Sequence, residues 1–91
     1  MKIPKKITIG NLEYEVGVLK DQNSELYGKS SHYEQWIRLA EKFTSSDKRD
    51  ETFWHECVHQ ILDISKFSEE SGNEKLVDCI ARGIHQIYKQ L

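Results

Sequence analysis

Residues 45–65 read Ser45-Ser46-Asp47-Lys48-Arg49-Asp50-Glu51-Thr52-Phe53-Trp54-His55-Glu56-Cys57-Val58-His59-Gln60-Ile61-Leu62-Asp63-Ile64-Ser65, and the period of this stretch decides the fold. At about 100° per residue, Phe53, Trp54, Cys57, Val58, Ile61, Leu62 and Ile64 fill one broad apolar arc. His55 and His59 lie together on its shoulder. The pattern predicts a helix over 47–65, with Ser45, Ser46 and Asp47 as N-cap choices. Ser68 through Gly72 breaks it. A second helix is predicted over 73–90, with Leu76, Val77, Ile80, Ala81, Ile84, Ile87 and Tyr88 on its apolar arc. A link this short makes the two helices antiparallel neighbours.

Upstream of Thr44 the period is shorter. Ile7, Ile9, Leu12, Tyr14, Val16 and Val18 alternate with polar residues, and Gly10-Asn11 is a hairpin signal between them. Strands are expected at 6–9 and 12–19. Asp21 to Glu25 reads as a polar connector. Tyr27–Ser31 and Gln35–Ala40 read as a second pair of strands, the latter carrying Trp36, Ile37 and Leu39. The expected fold class is therefore α+β: a small, mainly antiparallel sheet within residues 3–42, followed by two packed helices. A chain of 91 residues holds one core. Residues 1–91 are read as one domain, with a β-rich part (1–44) and a helical part (45–91). At this size any site is an open groove between a few elements rather than a deep chamber.

Composition removes several function classes. There are 13 basic and 15 acidic residues, net charge −2, without blocks of one sign. Nucleic-acid readers carry a basic surplus, so no nucleic-acid partner is expected. No apolar run approaches the ~20 residues that span a bilayer, so no membrane association is expected. Met1-Lys2-Ile3-Pro4-Lys5-Lys6 is basic, but no apolar segment of signal-peptide length follows it. Cys57 and Cys79 are read as reduced thiols, and the expected compartment is the cytoplasm.

The chemistry lies in His55-Glu56-Cys57-Val58-His59, an H-E-x-x-H run on a helix. Residues four apart stand one turn above each other. Two imidazoles so placed can approach one cation at about 2.0–2.1 Å from each ring nitrogen. Glu56 lies about 100° round the helix, where it can reach a water on that cation rather than the cation itself. A catalytic zinc site needs a third protein ligand and an open position. The second helix offers Glu74 and Asp78, again four apart and again on the shoulder of an apolar arc. If the two arcs pack together, the histidine edge meets the carboxylate edge. Glu74 is then the candidate third ligand and Asp78 the carboxylate that orients a ligand imidazole, with Asp78 the alternative in the ligand role. Ser71-Gly72-Asn73-Glu74 also fits a capping box in which Glu74 reaches back to the Ser71 amide, which explains Glu74 without a metal but not Asp78.

The run His55-Glu56-x-x-His59 followed by Asn73-Glu74-x-x-x-Asp78 resembles the gluzincin metallopeptidases. The whole chain is similar to small phage and prophage proteins of the ImmA/IrrE-like group, in which short strands precede Thr-x-x-His-Glu-x-x-His and an acidic helix closes the domain. Thr52-Phe53-Trp54-His55-Glu56 fits that run. The resemblance implies a minimal zincin-like fold and one Zn2+ per chain, held by His55, His59 and Glu74. It further implies Glu56 as general base, Asp78 as support for the first histidine, and a protein or peptide as substrate. It also implies that the strand Gln35–Ala40 forms the sheet edge on which an extended peptide docks. The chain is shorter than the larger members of that group, and it is expected to work without the sensory domain they carry.

The remaining candidates are weaker in outline. His85 stands on the metal-facing shoulder of the second helix, but about 10 Å beyond Asp78 along the axis; a rim position holding a developing oxyanion competes with a core-edge role. Tyr27, Tyr33 and Tyr88 are each able to supply an oxyanion donor. Cys57 faces away from the histidines and reads as packing. The leading function is a zinc-dependent peptidase. Its rivals are a phage or bacterial protein-binding module whose metal only ties two helices together, and a metal-free helical hairpin.

Overall fold

A computed structural model describes residues 1–20 and 26–91. The Asp21–Glu25 connector lies outside the described residues. Four strands, β1 (Lys6–Ile9), β2 (Leu12–Leu19), β3 (Gly28–Ser31) and β4 (Trp36–Ala40), precede α1 (Ser46–Ile64), a single turn α2 (Ser68–Ser71) and α3 (Glu74–Lys89). The fold class is α+β, as the sequence pattern predicts. The first hairpin turns on Gly10 and Asn11, with φ of 55° and 69°. Two consecutive left-handed residues give the turn whose twist suits a two-residue hairpin.

The sheet order is β1-β2-β4-β3. β1/β2 and β3/β4 are antiparallel, while β2 and β4 run parallel at the centre. Paired residues share a face, so Ile7, Tyr14, Val16, Ile37 and Ser30 all project to one side, and α1 covers that side. Tyr14, Ile37, Leu39, Phe53 and Cys57 form the buried centre there. Val58 of α1 packs instead on Val77 and Ala81 of α3. Trp54 touches both clusters, so α1 is the spine between the sheet and α3.

The expectation that Gln35–Ala40 forms the sheet edge is corrected by this order. β4 is paired on both sides, with β2 and with β3, and its Ile37 and Leu39 are buried. The edges fall to β1 and to β3, the latter a polar Gly-Lys-Ser-Ser strand suited to an exposed margin. The break between the helices is itself a helical turn, α2. The capping-box alternative is also corrected: Asn73 is the N-cap of α3, its side chain accepting from the Leu76 amide at 3.1 Å. The Ser71 amide donates to Phe67 O, which leaves Glu74 free to face α1. At the other helix start Ser45 is the cap, accepting from the Lys48 amide.

α1 and α3 are antiparallel. Asp47 meets Lys89 and His85, Glu51 meets Arg82, His55 meets Asp78, and His59 meets Glu74, so residue numbers fall along α3 as they rise along α1. This register sets the two edges side by side. Among the described residues no helix is long and apolar enough to cross a membrane.

Candidate metal centre

Ligand-type atoms of three residues converge at the α1–α3 seam. His55 Nε2 lies 3.0 Å from Glu74 Oε2, and His59 Nε2 lies 3.1 Å from Glu74 Oε1. The two imidazole Nε2 atoms are 3.1 Å apart. His55, His59 and Glu74 thus form a group able to hold a metal ion. Four ligands at about 2.0–2.1 Å from a tetrahedral centre stand about 3.3 Å from one another, and each imidazole Nε2 stands close to that distance from the other and from one oxygen of the Glu74 carboxylate.

The hydrogen bonds behind this triangle of residues assign the tautomers. His55 Nδ1 lies 2.7 Å from Asp78 Oδ1; an ionised carboxylate only accepts, so Nδ1 carries the proton and donates it. Ser71 Oγ donates to the His59 carbonyl at 3.3 Å and so accepts from His59 Nδ1 at 3.2 Å. Both Nε2 atoms are left with lone pairs pointing at each other and at a carboxylate. Three lone pairs facing inward with no proton between them repel one another, and a cation at their centre removes the repulsion. This donor set fits a divalent transition ion.

Glu56 stands outside the triangle. It is buried, and its Oε1 accepts from Ser30 Oγ of β3 at 2.6 Å. Ser30 Oγ in turn accepts from Gln60 Nε2 at 2.8 Å. The carboxylate is thereby tied to the sheet rather than left to swing toward the triangle. Gly28 makes this approach feasible: a Cβ there would fall 2.7 Å from Thr52 Cγ2 and 3.3 Å from Glu56 Cγ. The neighbouring Cys57 thiol is pushed up to about 12 by burial and by the Glu56 carboxylate, so it is inert.

A cleft of about 480 Å³ opens between β3, α1 and α3. Tyr27, Gly28 and Ser30 line one wall, Glu74, Asp78 and Arg82 the other, and His55, Glu56 and His59 the floor. The Glu74 side chain is 66% exposed, so the triangle faces solvent. Of the three tyrosines, Tyr27 alone lines the cleft; it stacks on Phe43. Tyr33 is solvated, and Tyr88 packs against Trp54.

His85 is not among the residues lining the cleft. It is buried and its Nε2 lies 3.1 Å from Asp47 Oδ1, where it ties the end of α3 to the start of α1. A rim position for it is therefore not found: the antiparallel register carries His85 past the cleft to the N-terminus of α1. Ser30, Gln60 and Gly28 were not signalled by motif or periodicity, because each acts through a partner distant in sequence. Ser71 was signalled only as a capping-box residue, not as a partner of His59. Arg82 had a signal, one turn past Asp78 on the same helix edge.

No protein family, curated protein or solved structure matches this chain.

Proposed function

We propose that this chain is a zinc-dependent peptidase of the ImmA/IrrE-like kind, acting on protein or peptide substrates in the cytoplasm. The observation that carries the reading is the division of labour among the three acidic and two imidazole groups. Two histidines and Glu74 turn lone pairs to one point, Asp78 fixes one imidazole, and Glu56 is held apart on a floor open to the cleft. A structural zinc site is closed by four protein ligands; here the described residues supply three, and the cleft lies over them.

Zinc, when bound, supplies a Lewis acid that polarises a carbonyl and makes a water nucleophilic near neutral pH. The protein's own part follows from its side chains. Glu56 takes the proton of the attacking water on its carboxylate and returns it to the leaving amine. Ser30 holds that carboxylate through Oε1 in both halves of the transfer. Tyr27, Lys48 and Arg82 are among the cleft groups able to donate to the oxygen that gains charge as the peptide bond breaks.

The substrate lies along β3. The Ala40 amide donates to Tyr27 O at 2.7 Å, and in an antiparallel ladder the alternate residues turn outward. Gly28 and Ser30 therefore offer their peptide groups to the outer side of β3, where an extended chain gains main-chain hydrogen bonds with little demand on its sequence.

Glu56→Gln tests the proposal. The amide keeps the shape and the Ser30 contact but accepts no proton. Metal content and folding are expected to stay at wild-type level while turnover falls by at least about 10²-fold. The assay follows new termini by mass spectrometry in a broad peptide library. A zinc-loaded wild-type chain that generates no new termini there, and whose metal content responds to His59→Ala alone, would identify the site as structural and overturn the peptidase reading.

A further inference from the structure

The edge of α1 that faces α3 carries Glu51, His55, His59 and Asp63 at successive four-residue steps, one turn apart. Arg82 Nε lies 3.7 Å from Glu51 Oε1, Asp78 backs His55 and Glu74 faces His59. Asp63 meets no such partner, because α3 begins at Glu74. Its half-buried side chain lines the cleft. Among the described residues no cation and no hydrogen-bond donor reaches its carboxylate. The last turn of α1 holds no basic residue, so the helix's terminal carbonyls add to the negative charge there. A carboxylate partly withdrawn from water without a cation beside it is unfavourable.

The other end of the cleft is basic. Lys48 Nζ lies 4.8 Å from the centre of the Tyr27 ring, and the Arg82 side chain, 72% exposed, is held only at the outer reach of Glu51. Lys29 alternates with Gly28 and Ser30 along the strand and so turns its side chain to the opposite face of the sheet. β3 runs from the basic end towards the acidic one, since Tyr27 lies beside Lys48 and Ser30 beside Gln60. A peptide paired antiparallel on β3, the more stable sense per residue, passes Asp63 with its N-terminal half. Its C-terminal half passes Lys48 and Arg82.

Resting on the peptidase reading, we propose that Asp63 receives a lysine or arginine side chain of the substrate on the N-terminal side of the scissile bond, while Lys48 and Arg82 receive an acidic side chain on the C-terminal side. The spacing fits. Glu51, level with Arg82, and Asp63 each lie six residues from Cys57, midway between the two histidines. That is about 9 Å along the helix axis in each direction, so the two ends stand about 18 Å apart. An extended chain rises about 3.4 Å per residue and alternates its side chains, so a base and an acid about six residues apart reach both ends from one face. Main-chain pairing on β3 supplies affinity with little demand on sequence, and the two charged ends supply direction. The substrate class is an extended segment with a basic residue before the cut and an acidic residue after it.

Two labelled peptides of identical composition decide it, one with Lys about six residues before Glu, the other with the two exchanged. Fluorescence anisotropy reads their binding to the full chain as zinc-loaded Glu56→Gln, which binds without cutting; chelator-treated wild type is a second chain that cannot cut. The Lys-first peptide is expected to bind about tenfold more tightly, the scale of two partly exposed ion pairs gained rather than opposed. The preference is expected to fade as salt is raised. Asp63→Asn should reduce it to about threefold, and Asp63→Lys, which makes both ends basic, should abolish it, with helix content by circular dichroism retained in both. Equal binding of the two peptides, or binding of neither, overturns the proposal. So does a preference that a folded Asp63→Lys chain keeps. The peptidase reading is judged separately, by new termini that the zinc-loaded wild type makes in the Lys-first peptide. Ordered binding without cleavage drops the peptidase reading and upholds the charge order, whereas cleavage without ordered binding does the reverse.

Discussion

His55 Nδ1 lies 2.7 Å from Asp78 Oδ1 across the α1–α3 seam, on the side of the imidazole opposite its contacts with His59 and Glu74. The contact fixes both the tautomer and the orientation of the ring. It also places Asp78, 55% exposed at its side chain, behind His55 and outside the group of His55, His59 and Glu74 that could hold a metal ion.

Removing Asp78 is therefore expected to weaken metal binding without abolishing it. Asp78→Ala should lose about 10- to 100-fold in zinc affinity, the usual effect of deleting a partner behind a ligand imidazole. Asp78→Asn should remain loaded when zinc is in excess. Competition titration against a chromophoric chelator reads both. If Asp78→Ala abolished binding while Glu74→Ala left it intact, the roles assigned to the two carboxylates would be reversed.

Ser30 is expected to matter for stability as well as for Glu56. Its hydroxyl is shared by Glu56 Oε1 and Gln60 Nε2, and Gln60 is almost wholly buried. Ser30→Ala leaves both without that partner and should cost about 1–3 kcal/mol, the penalty for a buried polar group left unpaired. Urea denaturation measures it. Adding Gln60→Leu to Ser30→Ala should cost less than the sum of the two single changes, because they share one interaction. Full additivity would count against the relay.

These contacts show what could be read from residue order and what could not. The helices were legible because Phe53, Cys57, Val58, Val77 and Ala81 recur at helical spacing, and those side chains are the ones buried. The triangle was legible because two i, i+4 pairs on neighbouring helices had one sensible way to meet. Strand order was not: the pattern places Ile37 and Leu39 on a strand but does not say which strands flank it, and the parallel β2/β4 pairing is a long-range choice. Ser71 carried a local signal that misled. Its capping-box position lost to a tertiary contact, because Asn73 caps α3 and the Ser71 hydroxyl serves His59.

The start of α1 predicts a pH dependence. Lys89, with His85 beside it, holds the Asp47 carboxyl below the ordinary value of 3.8 through hydrogen bonds and charge. A carboxylate favoured by the folded state stabilises it above the unfolded value, and that contribution fades as pH falls through the lowered one. The Asp47 carboxyl carbon should titrate by NMR with a midpoint below 3.8. Lys89→Met should move the midpoint upward. A midpoint at the ordinary value in the wild type would mean that the Asp47 contacts do not persist in solution.

The central claim is that His55, His59 and Glu74 hold one transition-metal ion. Metal analysis after incubation with zinc and exhaustive dialysis tests it most directly, with wild type, His59→Ala and Glu74→Ala prepared side by side. Because an ion that binds only the folded chain stabilises it, the loaded wild type should also melt at a higher temperature than the chelated form. The expected result is close to one zinc per wild-type chain, with His59→Ala and Glu74→Ala losing most of it and their melting no longer responding to chelator. A wild type that retains no zinc, or variants that retain as much as the wild type, would contradict the account.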